Sequence, residues 1–226
     1  MTLITGDPAA AVAGIADGST VLVGGFGMAG MPTALIDALI EHGATDLTIV
    51  SNNAGNGDTG LAALVGAGRV RRMVCSFPRQ ADSHHFDRRY RAGEIELELV
   101  PQGVLAERIR AGGAGIGAFF TPTGYGTPLA EGKEVRELDG RMQVLETALR
   151  ADLALVRAHR ADRLGNLVYR KTARNFGPVM ATAAAVTAVE VSEVVDAGAL
   201  DPETVVTPGL YVDRVVVVPG PAAVAS

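Results

Sequence analysis

The sequence predicts an α/β protein: an open, mostly parallel twisted sheet with helices on both faces. Two observations carry this. Short apolar runs such as Val21-Leu22-Val23 and Leu47-Thr48-Ile49-Val50 alternate with segments of helical periodicity, and strands that read as unbroken apolar runs are those covered on both sides. A glycine-rich turn, Gly24-Gly25-Phe26-Gly27-Met28-Ala29-Gly30, joins the first of these runs to a helical stretch, which is the strand, turn and helix step from which parallel sheets are assembled.

Taken in order, Asp7 followed by Pro8 reads as a helix N-cap with proline at the first helical position, and this helix stops near Asp17-Gly18. Strands are expected over residues 20–23, 47–50, 72–75, 95–100, 151–158 and 214–218. Helices are expected near residues 33–42, 59–65, 85–91 and 104–111. Residues 112–126, around Ala118-Phe119-Phe120, are glycine-rich and too irregular for a helix. Residues 1–218 therefore read as one domain, and residues 219–226 as a loose tail.

Composition narrows the function. With 226 residues and a net charge of −5, the chain has no basic patch interleaved with aromatics, which argues against a nucleic-acid partner. Its apolar runs fall far short of the ~20 residues of a membrane span, and no signal-peptide pattern opens the chain, so the cytoplasm is the expected location. Cys75 is the single cysteine. It can form no internal disulfide or cysteine cluster and reads as a small core residue. His42 and His159 stand alone, without triad partners.

Gly25, Gly27 and Gly30 satisfy the spacing of a dinucleotide loop. Glycines let backbone N–H groups approach an anion, and a helix N-terminus adds partial positive charge, so the loop suits a pyrophosphate. A dinucleotide fold also requires an acidic residue about 20 positions on to hold the ribose. The next strand ends instead in Ser51-Asn52-Asn53, and a nicotinamide oxidoreductase loses its second support. Ligands of parallel sheets bind at the carboxyl ends of the strands. That rule places residues 24–30, 51–53, 76–80 and Pro101-Gln102-Gly103 on one rim.

These residues also carry a resemblance. Asp17-Gly18, the apolar Val21-Leu22-Val23, Gly24-Gly25-Phe26 and Gly30-Met31-Pro32 resemble the alpha-subunit signature of class I coenzyme A transferases. Similar blocks recur at Ser51-Asn52-Asn53-Ala54-Gly55, at Pro101-Gln102-Gly103 with the following Leu105-Ala106-Glu107-Arg108, and at Gly165-Asn166-Leu167-Val168-Tyr169-Arg170-Lys171-Thr172-Ala173-Arg174-Asn175-Phe176. The resemblance extends over nearly the whole chain. It implies covalent, ping-pong transfer in which a glutamate carboxylate attacks an acyl-CoA thioester, with coenzyme A as a co-substrate, no tightly bound cofactor and no metal.

The family's glutamate lies in an Asn-Gly context that this chain lacks. The nucleophile is therefore expected on a separate CoA-transferase beta subunit, in a heterodimer or heterotetramer, with no catalytic residue in this chain. By the same resemblance, Gly24, Gly25, Phe26, Gly27, Met28, Ala29 and Gly30 would contact coenzyme A, and Asn52, Asn53 and Gln102 would line the acyl and carboxylate site. Glutamates 94, 96, 98 and 107 read as solvated edges or helix faces. Arg170, Lys171, Arg174 and Asn175 form a dense polar group that reads as an interface with the partner.

Within the family, Cys75-Ser76-Phe77-Pro78-Arg79-Gln80 and Gly115-Ile116-Gly117-Ala118-Phe119-Phe120 resemble the enzymes of 3-oxoadipate, with succinyl-CoA as donor, more than those of acetoacetate. 3-Oxoadipate keeps a distal carboxylate whose unpaired burial is costly, and Arg79 is the candidate to pair with it, with His84 and His85 as weaker ones. The acetoacetate enzyme, a nicotinamide oxidoreductase and a non-catalytic coenzyme A-binding module remain as alternatives.

Overall fold

The apolar runs pair side by side into an eight-stranded parallel sheet, which the computed structural model describes within residues 2–218. The tail expected over residues 219–226 lies outside the described residues. The first half of the chain contains β1 (Leu3–Thr5), α1 (Pro8–Val12), β2 (Thr20–Val23), α2 (Thr33–His42), β3 (Leu47–Val50) and α3 (Leu61–Gly66). β4 (Val70–Cys75), α4 (His84–Arg91), β5 (Glu96–Leu99) and α5 (Gln102–Gly113) follow. A separate antiparallel sheet is made by β6 (Ala118–Thr121), β7 (Val135–Leu138) and β8 (Arg141–Thr147). The chain then re-enters the main sheet at β9 (Ala151–Arg157). It goes on through β10 (Arg160–Asp162), β11 (Leu167–Val168), α6 (Gly177–Ala181), β12 (Ala184–Val191), β13 (Glu193–Val195) and β14 (Arg214–Val217).

The main sheet runs β1-β14-β12-β9-β2-β3-β4-β5, and every neighbouring pair is parallel. The chain thus steps outward from β2 to β5 on one side, and from β9 through β12 to β14 on the other. β2 and β9 lie together where the direction reverses, and there the connections diverge and leave a crevice at the carboxyl ends.

Alternation along the strands divides the core. Val21, Val23, Leu47, Ile49 and Met73 face α1 to α4, while Leu22, Val50, Val74, Ala154 and Val156 face α5 and α6. Each fully buried side chain of this kind stabilises the fold by ~1.5–3 kcal/mol. Cys75 belongs to the first core and burial pushes its thiol up to about 12, so it is the core residue its sequence context implies.

Local signals place the helix ends. Asp7 Oδ1 accepts from Ala9 N–H at 2.9 Å with Pro8 at the first position, and Gly43 closes α2 at φ +89. α1 is shorter than expected because the chain leaves the helix at Ala13 and turns at Gly14, φ +87. Further differences concern strands: β1, β7, β8, β10, β11 and β13 fall outside the expected ones, as do β12 and β6. β12 lies between β9 and β14, although its alanine-rich sequence fits either period. The glycine-rich segment over 112–126 contains β6.

Glu98 is not the solvated edge its sequence context suggests. Its half-buried carboxylate accepts from Arg72 at 2.6 Å and Arg108 at 2.5 Å. Desolvation pushes this carboxyl up, but the two guanidinium groups outweigh it and hold the group below its ordinary range. Arg108 also donates to the Thr147 carbonyl at 2.8 Å, tying α5 to the small sheet. Among the described residues no helix is long and apolar enough to cross a membrane.

Candidate functional site

At the carboxyl end of β2 the chain forms a tight hairpin. Phe26 N–H donates to the Ala29 carbonyl at 3.0 Å and Ala29 N–H donates back to Phe26 at 3.1 Å, so Gly27 and Met28 make the turn. Phe26 and Met28 are both more than half exposed at its tip. Gly25, Gly27 and Gly30 have φ values of +117°, +59° and +74°, which a side chain would strain. Gly30 has a second constraint: a Cβ there would lie 2.3 Å from the Ala173 carbonyl oxygen.

The donors at the base of this loop are occupied, whereas Gly27, Met28 and Gly30 N–H have no partner among the described residues. Gly24 N–H donates to the Leu155 carbonyl at 2.9 Å, Gly25 N–H to Asn175 Oδ1 at 3.2 Å, and Thr33 N–H to the Met31 carbonyl at 3.0 Å. Ala34 and Leu35 N–H both donate to Glu190 Oε2, at 2.9 and 3.2 Å. Glu190 is 2% exposed, and its other oxygen accepts from Arg157 Nη1 at 3.1 Å. Burial pushes the Glu190 carboxyl above its ordinary range, while Arg157 and the two backbone donors pull it back. All three partners donate, so the carboxylate is the form this geometry accommodates.

The N-terminus of α2 thus holds an anion, as its dipole favours, but the anion is the protein's own. The first free N–H groups of α2 are therefore taken, and the dinucleotide reading loses the helix N-terminus it relies on. The glycines also serve a tight turn and close backbone packing.

The second part of the rim is polar and neutral. Ser51, Asn52 and Asn53, at the end of β3, are 2%, 4% and 1% exposed. Asn52 Oδ1 accepts from Gln102 Nε2 at 2.7 Å and from Ser76 Oγ at 2.8 Å, which leaves the Asn52 amide nitrogen as the group free to meet a ligand. Gln102 opens α5 and lines a hollow of about 350 Å³ with Phe26, Ala106, Asn175, Phe176 and Val179. The structure therefore brings the glycine hairpin, Asn52 and Gln102 together. Asn53 is on the same rim, but its Oδ1 accepts from Gly55 N–H at 2.9 Å in a local turn. Phe77, on the strand-end loop beside it, is 61% exposed.

Arg79 is exposed and donates from Nε to Asp87 of α4 at 2.6 Å. His84 and His85 form a clip with two carboxylates. Asp58 lies 3.1 Å from His84 Nε2 and 2.9 Å from His85 Nε2, while His84 Nδ1 meets Asp82 at 2.9 Å. Among the described residues, Asp58, His84 and His85 are the one group whose donor atoms lie close enough to share a metal ion; here they satisfy one another.

Glu190 is the residue that sequence reasoning misses, although a lone glutamate inside the apolar Ala184–Val191 run was a usable signal. Asn175, grouped with its basic neighbours in the sequence, is the residue that fastens the hairpin from the far side of the crevice.

The sequence profile of the family described as Coenzyme A transferase matches residues 5–218. The chain is 68% identical over 215 residues to one subunit of the 3-oxoadipate CoA-transferase of Pseudomonas putida, covering 95% of this chain and 93% of that protein. It is 56% identical over 211 residues to the corresponding subunit of the succinyl-CoA:3-ketoacid coenzyme A transferase of Xanthomonas campestris, covering 93% and 86%. An acyl-CoA transferase from E. coli O157:H7, solved as a thioester complex with CoA, superposes with a TM-score of 0.85 at 25% identity. This chain is covered over 98% of its length and spans half of that solved chain.

Two outcomes follow from the geometry. Glu190→Gln turns one acceptor into a donor facing donors, so the variant is expected to lose about 2 kcal/mol of stability, seen in thermal denaturation as a fall of roughly 4–8 °C; an unchanged Tm would contradict the anchoring role. The His84 imidazole is held above its ordinary 6.5, first by the hydrogen bond to Asp82, and Asp58 is held below its ordinary 3.8, first by His85. The His84 contribution is complete below 6.5 and lost as pH rises through its elevated value, whereas that of Asp58 is present above 3.8 and lost on acidification. An NMR titration should place the His84 midpoint above 6.5 and return it toward that value in Asp82→Asn; a midpoint unaffected by that substitution contradicts the clip.

Proposed function

The chain belongs to the coenzyme A transferase family, and on that premise we propose that it is the alpha subunit of a two-subunit enzyme moving coenzyme A from succinyl-CoA to 3-oxoadipate. The observation that carries the reading is the neutral amide pair, Asn52 and Gln102, held 2.7 Å apart at the carboxyl rim beside the glycine hairpin. Neutral donors polarise a thioester carbonyl or receive its oxyanion without placing a fixed positive charge beside a carboxylate nucleophile. Glu190, the glutamate beneath the hairpin, is buried with both oxygens occupied, so it is not that nucleophile.

In this reading the thioester carbonyl of succinyl-CoA is attacked by a glutamate of the beta subunit. The new C–O bond gives an acyl anhydride as the C–S bond breaks and the coenzyme A thiolate leaves. The thiolate then attacks the glutamyl carbonyl, forming a glutamyl-CoA thioester and releasing succinate. 3-Oxoadipate repeats both steps in reverse order and departs as its thioester. Each step exchanges one acyl bond for another, and this chain contributes the oxyanion donors and part of the coenzyme A surface, including the exposed Phe26 and Met28.

The choice of acid rests on the 68% identity to the Pseudomonas putida protein; the 56% identity to the Xanthomonas campestris protein makes acetoacetate the second reading. Asp87 engages the Nε edge of Arg79, which leaves the two Nη groups as the edge that would receive the distal carboxylate of 3-oxoadipate.

Combined with its beta partner, the chain should transfer coenzyme A from succinyl-CoA to 3-oxoadipate in preference to acetoacetate, and alone it should do neither. A well-folded complex with no transfer to either acid contradicts the proposal. In the same assay Arg79→Met should raise KM for 3-oxoadipate about tenfold, the scale of one charge-assisted contact, and leave acetoacetate unaffected; equal losses for both acids exclude Arg79 from recognising the distal carboxylate.

A further inference from the structure

The hollow beside Gln102 adjoins a second and larger one. This second hollow measures about 640 Å³ and is lined by Phe26, Ala29, Lys171, Thr172, Arg174 and Asn175. The two share Phe26 and Asn175, so they lie side by side, one bordered by the amide pair and the other by two cations.

Lys171 and Arg174 are exposed, and no carboxylate among the described residues lies within ion-pair distance of either. Both lie on one short turn and line the same hollow. The turn that carries them is also fixed. Asn175 Nδ2 donates to the Thr172 carbonyl and to the Ala29 carbonyl, each at 2.9 Å, while its Oδ1 accepts from Gly25 and Phe176 N–H. Lys171 itself sits at φ +52°, a conformation that residues with side chains rarely adopt and that surrounding contacts must maintain.

The order of chemistry across the two hollows, neutral amide, then the apolar Phe26, Phe176 and Val179, then cations, is the order along coenzyme A from thioester through the pantetheine arm to the phosphates. We propose that Lys171 and Arg174 receive the phosphate groups of coenzyme A, while the arm lies over Phe26 toward Gln102. The proposal rests on the transferase reading and adds to it that this chain binds the charged end of the coenzyme. Contacts at that remote end hold the thioester in register with the amide pair, so their energy serves the reaction as well as binding.

The test uses the assembled two-subunit complex and compares succinyl-CoA with succinyl-pantetheine, which carries the same thioester and no phosphates. Removing both charges, as Lys171→Ala with Arg174→Ala, should raise KM for succinyl-CoA at least about tenfold, the scale of lost charge-assisted contacts. kcat/KM for succinyl-pantetheine and KM for the acceptor acid should stay unchanged. The Lys171→Gln, Arg174→Gln pair, which keeps polar side chains of similar reach, should behave alike, with circular dichroism verifying the fold and sedimentation the assembly. Equal losses for both thioesters, a raised KM for the acid alone, or dissociation of the complex overturns the phosphate assignment; the last would make the two cations contacts to an acidic surface of the beta partner. Absence of thioester exchange by the unmodified complex overturns the transferase reading itself.

Discussion

Glu190, on β12 one strand from the reversal of strand order, has both carboxylate oxygens occupied, and the placement of α2, β9 and the glycine hairpin depends on it. A parallel sheet whose connections diverge at β2 and β9 leaves a crevice there, and a helix N-terminus facing a crevice needs acceptors for its first N–H groups. The chain supplies them from β12, so α2 is locked to the far half of the sheet. Arg157 balances the charge from β9. With the helix fixed this way, the loop before it is free to project as a hairpin, and Gly30 lets the backbone at Ala173 press against its base.

On that base the rim becomes the half-site of the proposed reaction. Asn52 is held by Gln102 and Ser76, and Gln102 is in turn positioned by α5. α5 is immobilised by Arg108, which joins Glu98 of the main sheet to Thr147 of the small one. The donors are therefore preorganised on rigid elements, as a site that must meet developing charge requires. The same rim exposes Phe26, Met28 and Phe77. Large apolar side chains left uncovered around buried polar groups suit a surface that a second polypeptide completes, and this agrees with a nucleophile carried elsewhere.

Much of this was legible in the residues. The strands at Thr20–Val23 and Leu47–Val50 and the helix at Thr33–His42 lie where apolar periodicity and turn residues put them, because those signals act over a few neighbouring positions. The rule that ligands meet the carboxyl ends of parallel strands was enough to collect Asn52, Gln102 and the glycine loop on one rim. β12 was not legible, since alanine and valine at its spacing fit helix and strand equally. Nor was the role of Glu98, because a glutamate in an alternating run looks solvated until Arg72 and Arg108 are seen around it.

What the sequence determined by itself was the alternation of strands and helices from α1 to α5, the parallel class of the sheet and the family, all of which are written in local pattern. Only the tertiary structure decided which groups take the donors at the base of the glycine loop. Its spacing suits a phosphate, yet the N–H groups of α2 are taken by a carboxylate 156 positions away, and Gly25 is held by Asn175 across 150 positions. Hydrogen-bond partners so distant are chosen by the topology that brings β9 and β12 beside β2, and no local spacing encodes that choice.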